Sequence, residues 1–240
     1  MKEIEELIKK SSKYGKLIVQ RRFKSKKNTV CYVLINNKAC VIKWYAPAFR
    51  KNMEKEFKVL SEGCQHISMP MVFQKDTDNN VLLLNYISGE NLCDVLHNEQ
   101  TRSEDKKQLM TLLAEWYARF HLFFKTEDNY RIHGDSILRN FIVSDCIWGV
   151  DFEESRLGDR KEDIAGIAAS LLTTDPMFTK EKFLLCRHYI SEYEKAFGTK
   201  VHQISTDISY VLLQKIQYRP DDEQIIRSFV EQIRKNGLYF

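Results

Sequence analysis

The chain has 240 residues, 43% of them hydrophobic and 29% charged, enough for one large domain or two small lobes with real cores. Four prolines and nine glycines argue against disorder, and with no apolar run near the ~20 residues that span a bilayer and a charged start, MKEIEELIKK, the sequence predicts a soluble, cytoplasmic protein. Net charge is +4, yet residues 1–27 hold ten Lys or Arg against three Glu; this leaves −3 for the rest and reads first as a solvated basic face that permits an anionic partner.

In chain order, Ile4, Leu7 and Ile8 stand at helical spacing and predict a short amphipathic helix over residues 3–10. Residues 17–23, 29–35 and 39–45 are β-rich runs separated by the polar turns KSKKN and NNK, the pattern of an antiparallel meander. Pro47 opens a helix over residues 48–61. At about 100° per residue, Phe49, Met53, Phe57 and Leu60 share its buried face, and Glu56 lies at that face's edge. Residues 71–73 and 81–86, joined by DTDNN, predict a hairpin that completes a five-stranded sheet. Between residues 104 and 124, Leu109, Leu112, Leu113, Trp116, Phe120 and Phe123 recur at helical spacing as a core stripe, with His121 beside it as a satisfied core histidine. The six cysteines form no CxxC pair and mostly sit in apolar runs, which excludes a zinc or disulfide framework.

The densest chemistry lies in residues 131–163, RIHGDSILRNFIVSDCIWGVDFEESRLGDRKED. Phosphoryl transfer needs a carboxylate to orient an acceptor hydroxyl and take its proton, and hard oxygen ligands to hold Mg²⁺ against phosphates. Asp135 suits the first task, and Asn140 and Asp151 suit the second. Phe141-Ile142-Val143 and Ile147-Trp148-Gly149-Val150 read as strands joined by Ser144-Asp145-Cys146, a hairpin that returns Asp151 towards Asp135 and Asn140.

The pattern HGD-x₄-N, followed by a strand and DF, resembles the catalytic loop and metal-binding segment of the protein-kinase-like superfamily. DFEESRLGDRKEDIA is similar to the matching stretch of aminoglycoside and choline phosphotransferases, and EDIAGIAASLLTTDP to that of the small kinase of the KEOPS complex. HGD with RNF is similar, more loosely, to lipopolysaccharide-core sugar kinases. The resemblance implies an α+β, two-lobed fold: an antiparallel sheet with one main helix over residues 1–87, and a mostly helical lobe over residues 88–240.

It further implies that Lys43, in CVIKW, contacts the ATP phosphates and is oriented by Glu56. The loop Lys24, Ser25, Lys26 and Lys27 would cover the phosphates, and the Ile87 N–H, in the hinge NYISGE, would meet the adenine edge. Asp135 would be the catalytic base, with Asn140 and Asp151 the ligands of Mg²⁺ or Mn²⁺. His133 would be structural, and Asp163 would cap the helix it starts while bonding the catalytic loop's backbone. Two departures stand out: the covering loop has no glycine, and Glu153 replaces the glycine of DFG. The short interval from Asp151 to Asp163 leaves no room for a long activation segment, and HGD lacks an arginine to read a phosphosite there.

Residues 180–197, 203–217 and 221–236 predict three further amphipathic helices. The sequence reading is therefore an ATP-dependent phosphotransferase with a small hydroxyl acceptor, favoured by DFEESRLGD; nucleic acid is not the favoured partner. A second reading, favoured by EDIAGIAASLL and the basic start, is an atypical protein Ser/Thr kinase or ATPase subunit of an RNA-modification assembly. A third, favoured by the missing glycines, is a pseudokinase binding module.

Overall fold

The computed structural model describes residues 14–25 and 27–239, so the helix expected over residues 3–10 and the side chain of Lys26 lie outside the described residues. The chain divides into two compact units. One ends at Ser88 and also takes Asp151–Glu154; the other takes Gly89–Val150 and everything from Ser155. The sequence boundary at residue 87 had left residues 151–154 with the second lobe, but the side chains of this four-residue segment bond to the first unit.

In the first unit, β1 (Leu17–Phe23), β2 (Asn28–Ile35), β3 (Lys38–Tyr45), β4 (Val72–Asp76) and β5 (Val81–Asn85) form one antiparallel sheet in the order β1-β2-β3-β5-β4. Strand alternation sends Cys31, Val33, Ile35, Cys40, Ile42, Trp44, Val81 and Leu83 into a single core. Lys43 falls on the opposite face of β3 for the same reason.

The helix α1 runs Arg50–Gly63, not residues 48–61, because Pro47 starts a single 3₁₀ turn first. Its buried stripe is Met53, Glu56, Val59, Leu60 and Gly63. That stripe is rotated from the expected one, placing Glu56 within it and leaving Phe57 half-buried beneath the Lys75 ammonium, 4.3 Å from the ring centre. A buried carboxylate needs a partner, and Lys43 is there to provide one.

The second unit follows with β6 (Glu90–Asn91), α2 (Leu92–His97) and α3 (Ser103–Phe123). After them come β7 (Tyr130–Ile132), β8 (Phe141–Val143), β9 (Ile147–Gly149), β10 (Arg156–Gly158) and α4 (Lys161–Leu172). It ends in α5 (Lys180–Phe197), α6 (Ile204–Lys215) and α7 (Glu223–Asn236). Trp116 stacks on Phe120 at 5.2 Å and meets Phe141 edge-on at 5.1 Å, so the aromatic stripe of α3 is core. Phe123, expected in that stripe, is instead exposed, and Tyr117 takes its share of the interior. Nearly every side chain from Asp163 to Leu172 is buried, as expected of a helix that is apolar all round. No helix among the described residues is long and apolar enough to cross a membrane.

Candidate functional site

In the first unit the centre of charge is Lys43, whose side chain is only 5% exposed. Its ammonium reaches Glu56 Oε2 at 2.7 Å, Asp151 Oδ1 at 2.5 Å and Glu153 Oε2 at 3.0 Å, which matches its three N–H donors. Burial opposes the charge on Lys43, but Glu56, Tyr45, Asp151 and Glu153 outweigh it and hold its pKa well above the ordinary lysine value. Tyr45 donates to Glu56, and Asn28 donates to Glu153. Burial also raises the Glu153 carboxyl, against the pull of Lys43, and Asp151 adds to the rise. Asp151 is 41% exposed on its side chain, so it is the carboxylate of this group that a ligand from solvent reaches. Its φ of +67° is a left-handed conformation that aspartate tolerates better than most residues.

Lys43, Glu56 and Asp151, singled out from the sequence, are thus brought together. Glu153 was noted only as a replacement for glycine, yet it is a third carboxylate on Lys43. Tyr45 and Asn28 were missed altogether. A signal existed for both: Tyr45 is two residues from Lys43 on one strand face, and Asn28 pairs with Tyr45 in the β2–β3 register. Oxygens of Glu56, Asp151 and Glu153 lie within 4.8 Å of one another because all three carboxylates converge on the Lys43 ammonium. The lysines of the covering loop are less concentrated. Lys24 and Ser25 are exposed, with Ser25 Oγ accepting from the Asn28 N–H at 3.3 Å. Lys27 pairs with Glu154 and lies 5.9 Å from the Phe49 ring centre. Ile87, the expected adenine contact, is a buried residue of this unit.

In the second unit the loop after β7 is built around Asp163. The loop turns at Gly134, whose φ of +83° favours glycine, and passes so close to α4 that a Cβ on Gly166 would meet Ser136 at 2.9 Å. Asp163 Oδ2 accepts from the His133 N–H at 2.7 Å and from His121 Nε2 at 3.0 Å. Its Oδ1 accepts from the Gly134 N–H at 3.1 Å and from Ser136 Oγ at 2.6 Å. The expected bonding to the loop's backbone is present, through the His133 and Gly134 N–H groups, whereas the expected cap is corrected: Asp163 sits in the first turn of α4, whose N-cap position is Arg160. Burial works against its charge, but the bond from His121, the nearby imidazoles and Ser136 hold its pKa below the ordinary aspartate value.

Asn140 donates from Nδ2 to the Asp135 backbone carbonyl at 2.8 Å and to its Oδ2 at 3.1 Å, which orients the half-buried Asp135 and leaves the amide oxygen as a ligand atom. The Val150 N–H donates to the Asn140 carbonyl at 2.9 Å, and His133 Nε2 lies 3.0 Å from the Val150 carbonyl. The residue before Asp151 is thereby held at both ends of the loop that carries Asp135.

Neither a family model nor a curated protein matches the sequence. Solved structures do match the fold. A protein from Ralstonia eutropha assigned as an aminoglycoside phosphotransferase is similar over 95% of this chain and 96% of its own, with a TM-score of 0.67 and 12% identity. The ternary complex of APH(2")-IIa with streptomycin and ATP matches over 88% and 89%, with a TM-score of 0.61 and 18% identity. Choline kinase LicA from Streptococcus pneumoniae matches over 98% and 99%, with a TM-score of 0.60 and 16% identity. The chain therefore has the protein-kinase-like fold of these phosphotransferases.

Proposed function

We propose that this protein is an ATP-dependent phosphotransferase acting on a hydroxyl group, with a small molecule as acceptor. The observation that carries the reading is the buried Lys43, paired to Glu56 and reaching the solvent-accessible Asp151. Phosphoryl transfer is dominated by positioning and by cations placed against the charge of the transferring group. Lys43, fixed by Glu56, presents its ammonium to the α and β phosphates. Asp151 and the amide oxygen of Asn140 hold Mg²⁺, which when bound supplies positive charge to the phosphates. Asp135 accepts the acceptor's proton as its oxygen bonds to the γ phosphorus and the bond to the ADP oxygen breaks. Ile87 offers its N–H to the adenine, and Lys24, Lys26 and Lys27 cover the phosphates. The ATP and streptomycin in one similar structure, and the choline kinase among the others, support a nucleotide donor and a small acceptor.

The test is thermal stabilisation by ATP with and without Mg²⁺, followed by a screen of acceptors with labelled ATP. No stabilisation by either would sink the reading. Asp151→Asn is expected to abolish the Mg²⁺-dependent part while leaving the apo protein folded, since asparagine also tolerates the left-handed backbone. An unchanged Mg²⁺ response removes Asp151 from the metal site.

Lys24, Lys26 and Lys27 replaced together by alanine are expected to weaken ATP much more than adenosine, because only ATP carries the charge they meet. The stability of the apo protein should stay within about 1 kcal/mol, as is usual for exposed turn positions. Equal effects on both ligands would show that the loop does not cover phosphates.

One observation favours a second reading, a nucleotide-binding module without turnover: Glu153 takes an N–H of Lys43 that a phosphate oxygen would otherwise use. ATP binding with no transfer to any acceptor selects that reading.

A further inference from the structure

In the second unit, the inner face of α3 is buried through Leu113, Trp116 and Phe120. On its outer face Glu115, Arg119, Leu122 and Phe123 are exposed, Leu122 at 48% and Phe123 at 40%, and Leu112 is half-buried. At about 100° per residue these five side chains fall within an arc of about 100°. Four of them, with Ala118 and with Ala196 of α5, line an open groove of about 560 Å³.

Single exposed apolar side chains are ordinary on a folded protein. What sets this face apart is the order of its charges. Glu115 and Arg119 make no ion pair with a described residue, although glutamate four residues before a cation is the arrangement that favours one along a helix. Leu112 and Leu122 flank them, three residues outside on either side. The pattern Leu-x₂-Glu-x₃-Arg-x₂-Leu is centred on residue 117, with its apolar positions matched and its charges opposed. A second helix of this sequence laid antiparallel therefore meets leucine at each leucine and the opposite charge at each charge. Laid parallel, it would set glutamate against glutamate and arginine against arginine, which is repulsive.

We propose that this face of α3 docks a second copy of the chain, antiparallel across a two-fold axis level with residue 117. Leu112 packs on Leu122 of the second copy, Glu115 pairs with Arg119 of the second copy, and the axis makes each contact twice. Removing the apolar surface of Leu122 and Phe123 from water drives the association, while the four charges fix its register and direction. A single crossing of helices is at the small end of specific interfaces, so the dimer dissociates in the range of about 1–100 µM.

The test is sedimentation of the full chain from about 1 to 200 µM, a range that spans this dissociation constant. A concentration-dependent dimer is expected. Glu115→Arg and Arg119→Glu, each made alone, turn both symmetry-related pairs from attraction to repulsion. Each is expected to weaken the dimer by about tenfold or more while thermal stability stays near that of the parent, since both positions are exposed. An equimolar mixture of the two variants is expected to recover the dimer as the mixed species alone, because each chain then meets the opposite charge at both positions. The chain carrying both reversals should recover it as well. A folding defect in either variant would not be cured by mixing, so recovery separates docking from structural damage. A parent chain that stays monomeric at the highest concentration, a dimer that neither reversal weakens, or a mixture that stays monomeric overturns the proposal.

Discussion

Asp135→Asn should keep ATP affinity and lose phosphoryl transfer by ~10²-fold or more, the range expected when a positioned general base is removed. The substitution is nearly isosteric, and Asn140 Nδ2 can still donate to the side-chain oxygen and to the backbone carbonyl at 135, so the loop keeps its shape. What disappears is the carboxylate's capacity to take a proton. The measurement is transfer of label from ATP, set beside ATP-dependent thermal stabilisation of the same variant. Parallel loss of binding and transfer would contradict the division of roles between Asp135 and the Lys43 group.

Asp163→Asn should cost ~3–5 kcal/mol of stability, as when one partner is removed from a buried, charge-assisted network. Asp163 is 1% exposed and accepts four hydrogen bonds, two from backbone N–H groups and two from the side chains of His121 and Ser136. An amide has one oxygen for these four donors, and its NH₂ would face donors in turn, leaving buried groups unsatisfied. The pH dependence has a definite sign. Because the folded carboxyl lies below the ordinary aspartate value of about 3.9, its contribution is complete above that pH and is lost as pH falls through the lower folded value. Urea unfolding of both proteins from pH 7 down to pH 3 should therefore show the gap closing in acid. A loss below about 1 kcal/mol at pH 7 would mean that the loop does not depend on this carboxylate.

Much of this molecule is legible one element at a time, because strand and helix periods are local properties. The α5 helix falls on residues 180–197 as expected: the Thr179 side chain accepts from the Lys182 N–H at one end, and Gly198 adopts φ +87° at the other, both within a few residues of the helix. The alternation in β2 and β3 likewise separates Cys31, Val33, Cys40 and Ile42 from Lys43 without reference to any other part of the chain. Asp135, Asn140 and Asp151 are candidates by residue type and spacing, whereas Lys43 enters through the resemblance of CVIKW to the kinase-like pattern and Glu56 through helical phase as its partner.

Tertiary structure decided the rest. Helix phase put Glu56 at the rim of its buried face, and only the approach of Lys43 from β3 explains why it lies within that face. Glu153 and Asn28, 125 residues apart, meet on Lys43's side of the sheet. No local period encodes that meeting. Asp163 reads from the sequence as a cap that also bonds the loop's backbone; the loop bonds form, but the side chains of His121 and Ser136, which no local pattern assigns to it, complete its four donors in place of its own helix. Periodicity specifies which face of an element is buried, whereas the partner of a buried charge depends on which distant donor or acceptor the packed backbone brings within hydrogen-bond reach.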